Sequence, residues 1–326
     1  MRVGLYAVDA GPRSVMQMLV RHECFEIVQS ENLNINDFDA VVVGTSCSKK
    51  GKLLESRIRQ YVIKSEIPLV IIEDYPGNYK LVSDGHPHLL IVEHQYCIKL
   101  QHEKLGDNCP SMIVVSNPRY DELRTKSSLD KESLKKKWQH DKEHQYLLWA
   151  GQPETDDGLK VLNVIMPVLK DMNVRLIFKA HPSDLGYKSG AYLSAAAYLG
   201  RLWKDVTRLD LKTCIDAYAP NAILTQYSSL AIEAGFYGIP SGNVLFPDIG
   251  AKRIMADKGY TVPPWCLSGA GIVLQKKEDV REFLHRLMYD ENTRRRINNK
   301  FNNWFGRKPT TEKIVSEISS FLNNKT

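Results

Sequence analysis

No apolar run in this sequence approaches the roughly 18–20 residues needed to cross a bilayer. The longest, such as PLVII and DAVVVG, stop after a few positions, which excludes a helical membrane span. Cysteine is sparse and scattered, at Cys24, Cys47, Cys97, Cys109, Cys214 and Cys266, with no C-x-x-C pair and no zinc-finger spacing to histidine. That pattern argues against a disulfide framework or a structural zinc site and leaves reduced thiols. Heptad arrays, internal repeats and low-complexity tracts are missing, so coiled coils and solenoids are excluded. Also missing are a G-x-G-x-x-G fingerprint and a Walker loop; DAGPRS has a single glycine. The opening MRVGLYAVDAG passes directly into a strand pattern without a signal-peptide core, so a cytoplasmic protein is expected, at most peripheral at the inner membrane face. Charge of one sign is in small excess: 44 Lys and Arg against 38 Asp and Glu give +6. This suits an acidic ligand or an anionic membrane surface, and it does not argue for nucleic acid.

What is present is an alternation of strand-like and helix-like segments. Strands are predicted at VGLYAV (3–8), FEIVQS, DAVVVGTS (39–46), PLVIIED (68–74), LLIVE and MIVVS, with helical periodicity at PRSVMQMLVRH and KLLESRIRQYVIKS. Continuous apolar strands alternating with helices imply a parallel α/β sheet. The strongly charged RTKSSLDKESLKKKWQHDKEHQ (124–145) then interrupts the pattern and reads as a linker with a solvated helix. Beyond it the alternation restarts with YLLWAGQ (146–152), RLIFKA (175–180), AILTQY (222–227) and NVLF. At 326 residues the chain is long enough for two domains of roughly 130–180 residues each. The expected division is 1–124, a charged linker over 125–145, and 146–326, with a ligand in the cleft between two α/β domains.

Three segments carry candidate chemistry. In AILTQYSSLAIEAGFYGIPS an apolar strand ends at Tyr227, and Ser228 and Ser229 open a helix. A hydroxyl there either caps the helix or donates to a phosphate oxygen, and a helix N-terminus favours an anion. Glu233, one turn on in an otherwise apolar stretch, is a candidate acceptor for two ribose hydroxyls. In RLIFKAHPSD, Lys179 and His181 lie two positions apart and are predicted to point the same way from a strand end, with Pro182 stiffening the turn. The pair suits a phosphate, the histidine donating a proton to a departing group. In GQPETDDGLKVL, Asp156 and Asp157 precede Gly158 at a strand-to-helix junction. They are either first-turn acids favoured by the helix dipole or a general base, the glycine letting the backbone turn to present one. In the first domain, loops after strand ends place Asp9, Ser46 and Asp74 as acceptor-side candidates, Asp74 also competing as base. His94 and the His86-Pro87 pair are read as structural.

The sequence DDG (156–158), HP (181–182) and YSS (227–229) together resemble the acidic-acidic-Gly, HP and Ser-rich motifs of bacterial sialyltransferases, in particular the lipooligosaccharide and polysialic-acid branches. The resemblance covers roughly residues 146–245. SSLAIEAGFYGIPS is also similar to the ribose-phosphate segment of nucleotide-sugar 2-epimerases and of polyol-phosphate polymerases. DAVVVGTS and IIEDYPGNY look like segments of polysaccharide-biosynthesis proteins of unassigned activity. The resemblance implies a GT-B fold of two Rossmann-like domains, with the nucleotide held mainly by the second. It implies that Asp156 or Asp157 is the base, that His181 contacts or protonates the phosphate of CMP, and that Ser228 and Ser229 bind that phosphate. The expected activity is transfer of a sugar, a CMP-activated nonulosonate such as sialic acid, to a surface glycan or glycolipid. No metal or other cofactor is expected, since Lys179, His181 and the helix end offset one phosphate. A nucleotide-sugar epimerase or hydrolase, and a non-catalytic glycan-binding protein, are the alternatives.

Overall fold

Every strand expected from an apolar run forms, and all of them pair in parallel. The computed structural model describes residues 2–28, 37–80, 85–125, 145–306 and 308–324; the expected charged linker lies outside them over 126–144. The chain divides into two units. The first comprises Met1–Glu122, Asp257–Gly259 and Lys308–Thr326, and the second Leu123–Ala256 and Tyr260–Arg307.

In the first unit the strands are β1 (Val3–Tyr6), β2 (Phe25–Ile27), β3 (Ala40–Val43), β4 (Leu69–Ile72), β5 (Leu89–Val92) and β6 (Met112–Val114). They form one parallel sheet in the order β2-β1-β3-β4-β5-β6. β1, β3, β4 and β5 are buried along their whole length, as a sheet covered on both faces requires. Val3, Leu5, Val42, Val70 and Ile72 pack on one face with Val15, Met16 and Leu19 of the helix Ala10–Leu19. Val41, Val43, Leu69 and Ile71 pack on the other with Val62 and Cys97.

The second unit has β7 (Gln145–Ala150), β8 (Val174–Lys179), β9 (Trp203–Asp205), β10 (Ala222–Thr225), β11 (Ser241–Val244) and β12 (Ile272–Leu274). Their order is β12-β11-β10-β7-β8-β9, again all parallel. Leu147 and Trp149 face a core built with Phe178, Leu162, Ile165 and Leu284. Leu148 and Ala150 face Ile177, Ile215, Ile223 and Ala234. Each such aliphatic side chain contributes about 1.5–3 kcal/mol by leaving water. Strands β9 and β12 were not expected: each is three residues long, at an edge of the sheet, and too short to show a period.

One boundary needs correction. The sequence pattern assigns everything from 146 to 326 to the second domain, yet the last helix, Thr311–Asn323, belongs to the first unit. Its Ile314, Ile318 and Leu322 join the core beside Val3 and Val15. A run of i, i+4, i+8 apolar positions shows that a helix is amphipathic, not which sheet it covers. The choice is locked by the buried Asp121, whose carboxylate accepts hydrogen bonds from the N–H and O–H groups of Thr310 and Thr311. No helix among the described residues is long and apolar enough to cross a membrane.

Candidate functional site

In a doubly wound sheet the strand order reverses at one point, and ligands bind beside the carboxyl ends of the strands there. In the second unit that point lies between β7 and β10, with β8 next to β7. The loops that follow these three neighbouring strands are 151–154, 180–184 and 226–229. The DDG segment opens the helix Thr155–Asp171 after the first loop, the HP pair sits in the second, and the two serines end the third. The fold therefore brings together three segments that lie far apart in sequence.

Close contacts hold this edge. The Gly151 N–H donates to the Lys179 carbonyl at 2.8 Å. A Cβ at Gly151 would lie 3.3 Å from the Ala180 Cα, the His181 nitrogen and the Lys179 oxygen, so the approach of the β7 and β8 ends depends on glycine. Gln152 donates to the Thr225 hydroxyl at 3.2 Å, and that hydroxyl donates to the Ala150 carbonyl at 2.7 Å. Both side chains are buried, which ties β7 to β10 at their ends.

His181 is half-buried, and its Nδ1 accepts the Ser183 N–H at 3.1 Å. The ring proton of the neutral imidazole is therefore on Nε2, which makes that atom a donor. Burial lowers its pKa below the usual histidine range, the nearby Asp184 opposing the shift, so the ring is neutral at physiological pH. Lys179 behaves differently from expectation. Its ammonium donates to the Thr207 carbonyl at 3.3 Å and to the Leu209 carbonyl, and so it ties down the loop after β9. Lys179→Met is expected to destabilise the protein by about 1.5–3 kcal/mol through these lost charged donors. Nucleotide affinity is expected to stay the same, to be read by urea unfolding and calorimetric titration of each variant.

The two acids of DDG have separate environments. Asp157 is buried and accepts a 2.8 Å hydrogen bond from Arg253 Nε, while Asp156 is exposed. Arg253 also lies 3.6 Å from Glu154, so this half-exposed guanidinium bridges the helix after β7 and the helix Gly250–Lys258. Arg253 therefore occupies the Asp157 carboxylate, while that of Asp156 faces solvent. Gly158 does not turn the chain; it lies inside the helix, where a Cβ would come within 2.9 Å of the Tyr192 hydroxyl. The expected Ser-Ser helix is short, Leu230–Phe236, and Ser229 makes no side-chain cap. Ser228 takes that part: its Oγ accepts the Leu230 N–H at 3.3 Å, leaving the hydroxyl proton to donate. Glu233 is half-buried in the first turn of this helix.

In the first unit the order reverses between β1 and β3, and there Asp9 and Ser46 are engaged in the fold. Asp9 accepts the Cys47 and Ser48 N–H groups, both at 2.7 Å, and the Ser48 hydroxyl at 2.6 Å. Ser46 accepts the Asp9 N–H and donates to Glu55 at 2.6 Å. The buried Asp74 accepts from Thr45 at 2.7 Å and Asn78 at 2.9 Å. Beside it Glu73 is fully buried, which pushes its pKa up to about 7. His94 caps the helix Gln95–Leu105 by accepting the Tyr96 N–H, a structural role as expected. Sequence reasoning missed Glu55, Glu73, Asp184 and Arg253. Only Glu73 had a visible cue, a charge directly after the apolar IPLVII. Among the described residues no three His, Cys, Asp or Glu side chains assemble as a metal-ligand set.

No protein-family model matches the chain, and no curated protein does. Solved structures do. The UDP-GlcNAc 2-epimerase of Methanocaldococcus jannaschii, solved with UDP-GlcNAc and UDP, superposes with a TM-score of 0.65 at 15% identity, covering 98% of this chain and 100% of the epimerase. The calicheamicin glycosyltransferase CalG4 gives 0.57 at 12% identity, with 99% and 98% covered. The wall teichoic acid polymerase TagF gives 0.53 at 9%, with 99% and 89% covered. At these identities the likeness shows the fold: GT-B, two Rossmann-like units.

Proposed function

We propose that this chain is a glycosyltransferase that holds a nucleotide-activated sugar at the strand-order reversal of its second unit and passes the sugar to a glycan hydroxyl. The observation that carries this reading is the convergence of the HP, DDG and Ser-Ser loops on the adjacent ends of β8, β7 and β10. His181 Nε2–H and the Ser228 hydroxyl donate to the donor's phosphate, Ser229 lies beside them, and Glu233 accepts from the ribose hydroxyls. Asp156 takes the acceptor's hydroxyl proton; the oxygen attacks the anomeric carbon, and the bond to the nucleotide phosphate breaks with its electrons on that phosphate. Asp74, Asp9 and Ser46 are proposed on the acceptor side. The donor proposed first is a CMP-activated nonulosonate, because neutral His181 and two hydroxyls suit one phosphate better than two.

A nucleotide-sugar 2-epimerase is the second reading. It is favoured by the superposition on the M. jannaschii enzyme over its whole length at a higher TM-score than either transferase reaches. A thermal-shift panel of CMP, CDP, UMP, UDP and GDP separates the two, since a selective ligand stabilises the folded state by mass action. CMP is expected to raise Tm more than UDP, and His181→Ala to remove most of the CMP effect. Equal or greater stabilisation by UDP would transfer the assignment to the epimerase.

A further inference from the structure

We propose that Asp184 is the positioning residue of the nucleotide site, its buried carboxylate setting the side on which His181 presents its Nε2–H. The proposal rests on the reading of His181 as a phosphate donor. Asp184 has no solvent exposure, and both of its oxygens are engaged. Oδ1 accepts from the Thr155 hydroxyl and, at 3.1 Å, from the Tyr187 N–H. Oδ2 accepts the Tyr192 hydroxyl at 2.7 Å. These bonds join the loop after β8 to the first residue of the helix after β7, and the Thr155 hydroxyl in turn accepts the Gly186 N–H at 3.1 Å. The link to His181 is direct, because the Asp184 N–H donates to the His181 carbonyl at 2.9 Å. Within the resulting four-residue turn, Ser183 N–H reaches His181 Nδ1 and selects the tautomer. Pro182 leaves this turn little other freedom. A carboxylate able to accept three donors is thus the fixed point from which the imidazole is aimed, although it lies outside hydrogen-bond reach of the ring itself.

Asp184→Asn keeps the size and one acceptor oxygen but cannot accept from all three donors. The test combines histidine-ring proton–nitrogen NMR of the whole chain with calorimetric titration of CMP. In the native protein the His181 signals are expected to show the Nε2–H tautomer. In Asp184→Asn they are expected to shift towards a mixture of tautomers, with CMP affinity falling about tenfold, the worth of one hydrogen bond to a charged group. Asp184→Asn combined with His181→Ala is then expected to bind CMP no more weakly than His181→Ala alone, since the two residues act through one contact. Unchanged ring signals in a folded Asp184→Asn, or additive losses in the double variant, would overturn the proposal. Should Asp184→Asn fail to fold, Tyr192→Phe removes a single donor, and the same ring shift is expected in smaller measure; its absence there overturns the proposal equally. If the native protein binds none of the nucleotides, the functional reading falls, and a tautomer shift in Asp184→Asn still upholds the positioning role.

Discussion

Asp156→Asn is expected to abolish most sugar transfer while leaving nucleotide binding intact. Loss of a positioned general base lowers turnover by about 10²–10⁴-fold, and an amide of the same shape cannot take a proton. The structure separates this acid from its neighbour. Asp157 holds Arg253 at 2.8 Å, so Asp157→Asn weakens the tie between two helices and leaves an exposed base in place. Because the arginine is half-exposed, that tie is worth on the order of 1 kcal/mol or less. Asp74→Asn is the decisive comparison. Its carboxylate already accepts from Thr45 and Asn78, and an amide would disturb both contacts, so a loss of Tm is expected before any specific loss of turnover. Transfer assays and CMP titrations on the three single variants discriminate these cases. Abolition of transfer by Asp74→Asn alone, at native Tm, would show that the acids at 156 and 157 merely begin a helix.

The largest stability effect is expected at Asp121→Ala, in the first unit. Asp121 accepts from the N–H groups of Thr310 and Thr311, both at 2.8 Å, and from the Thr311 hydroxyl at 2.6 Å, in a buried setting. An exposed helix cap is worth roughly 0.5–2 kcal/mol. Here the Thr311 N–H and O–H would be stranded in a buried setting beside a partly buried Thr310, so a cost of about 2–4 kcal/mol is expected, a substantial share of the roughly 5–15 kcal/mol that holds a domain folded. Urea unfolding measures it, and Asp121→Asn, which retains one acceptor oxygen, is expected to recover part. CMP affinity per folded molecule is expected to be unchanged, because the proposed nucleotide loops belong to the other unit. A loss below about 1 kcal/mol would show that the apolar contacts of Ile314, Ile318 and Leu322 anchor the last helix without help.

The three proposed nucleotide loops were legible because each follows a strand that announces itself locally. RLIFKA and AILTQY are apolar runs, and what comes after a buried parallel strand on its carboxyl side is a loop at the ligand-binding edge. Their content was legible too, as residue types suited to an anion and a proton transfer. The partner of each side chain was not. Lys179 looks like a phosphate ligand until the chain returns with Thr207 and Leu209, whose carbonyls it holds. Asp157 looks like a base until Arg253 arrives from 96 positions away.

The sequence by itself determined that the chain folds as two parallel α/β sheets, since a strand buried on both faces needs an unbroken apolar run and a crossover helix. It also determined that His181 stands at a stiff turn, since Pro182 permits little else. Strand order was decided only by the tertiary structure: β10 crosses back to pair with β7, and that single return sets the serine loop on one side of the β7 end while the histidine loop, after β8, lies on the other. The tertiary structure likewise decided which carboxylates are occupied and which sheet the last helix covers. The physical reason is range. Hydrophobic periodicity is a property of neighbours along the chain, whereas charge pairing and buried polar satisfaction join groups that only the completed packing brings within 3 Å or so of one another.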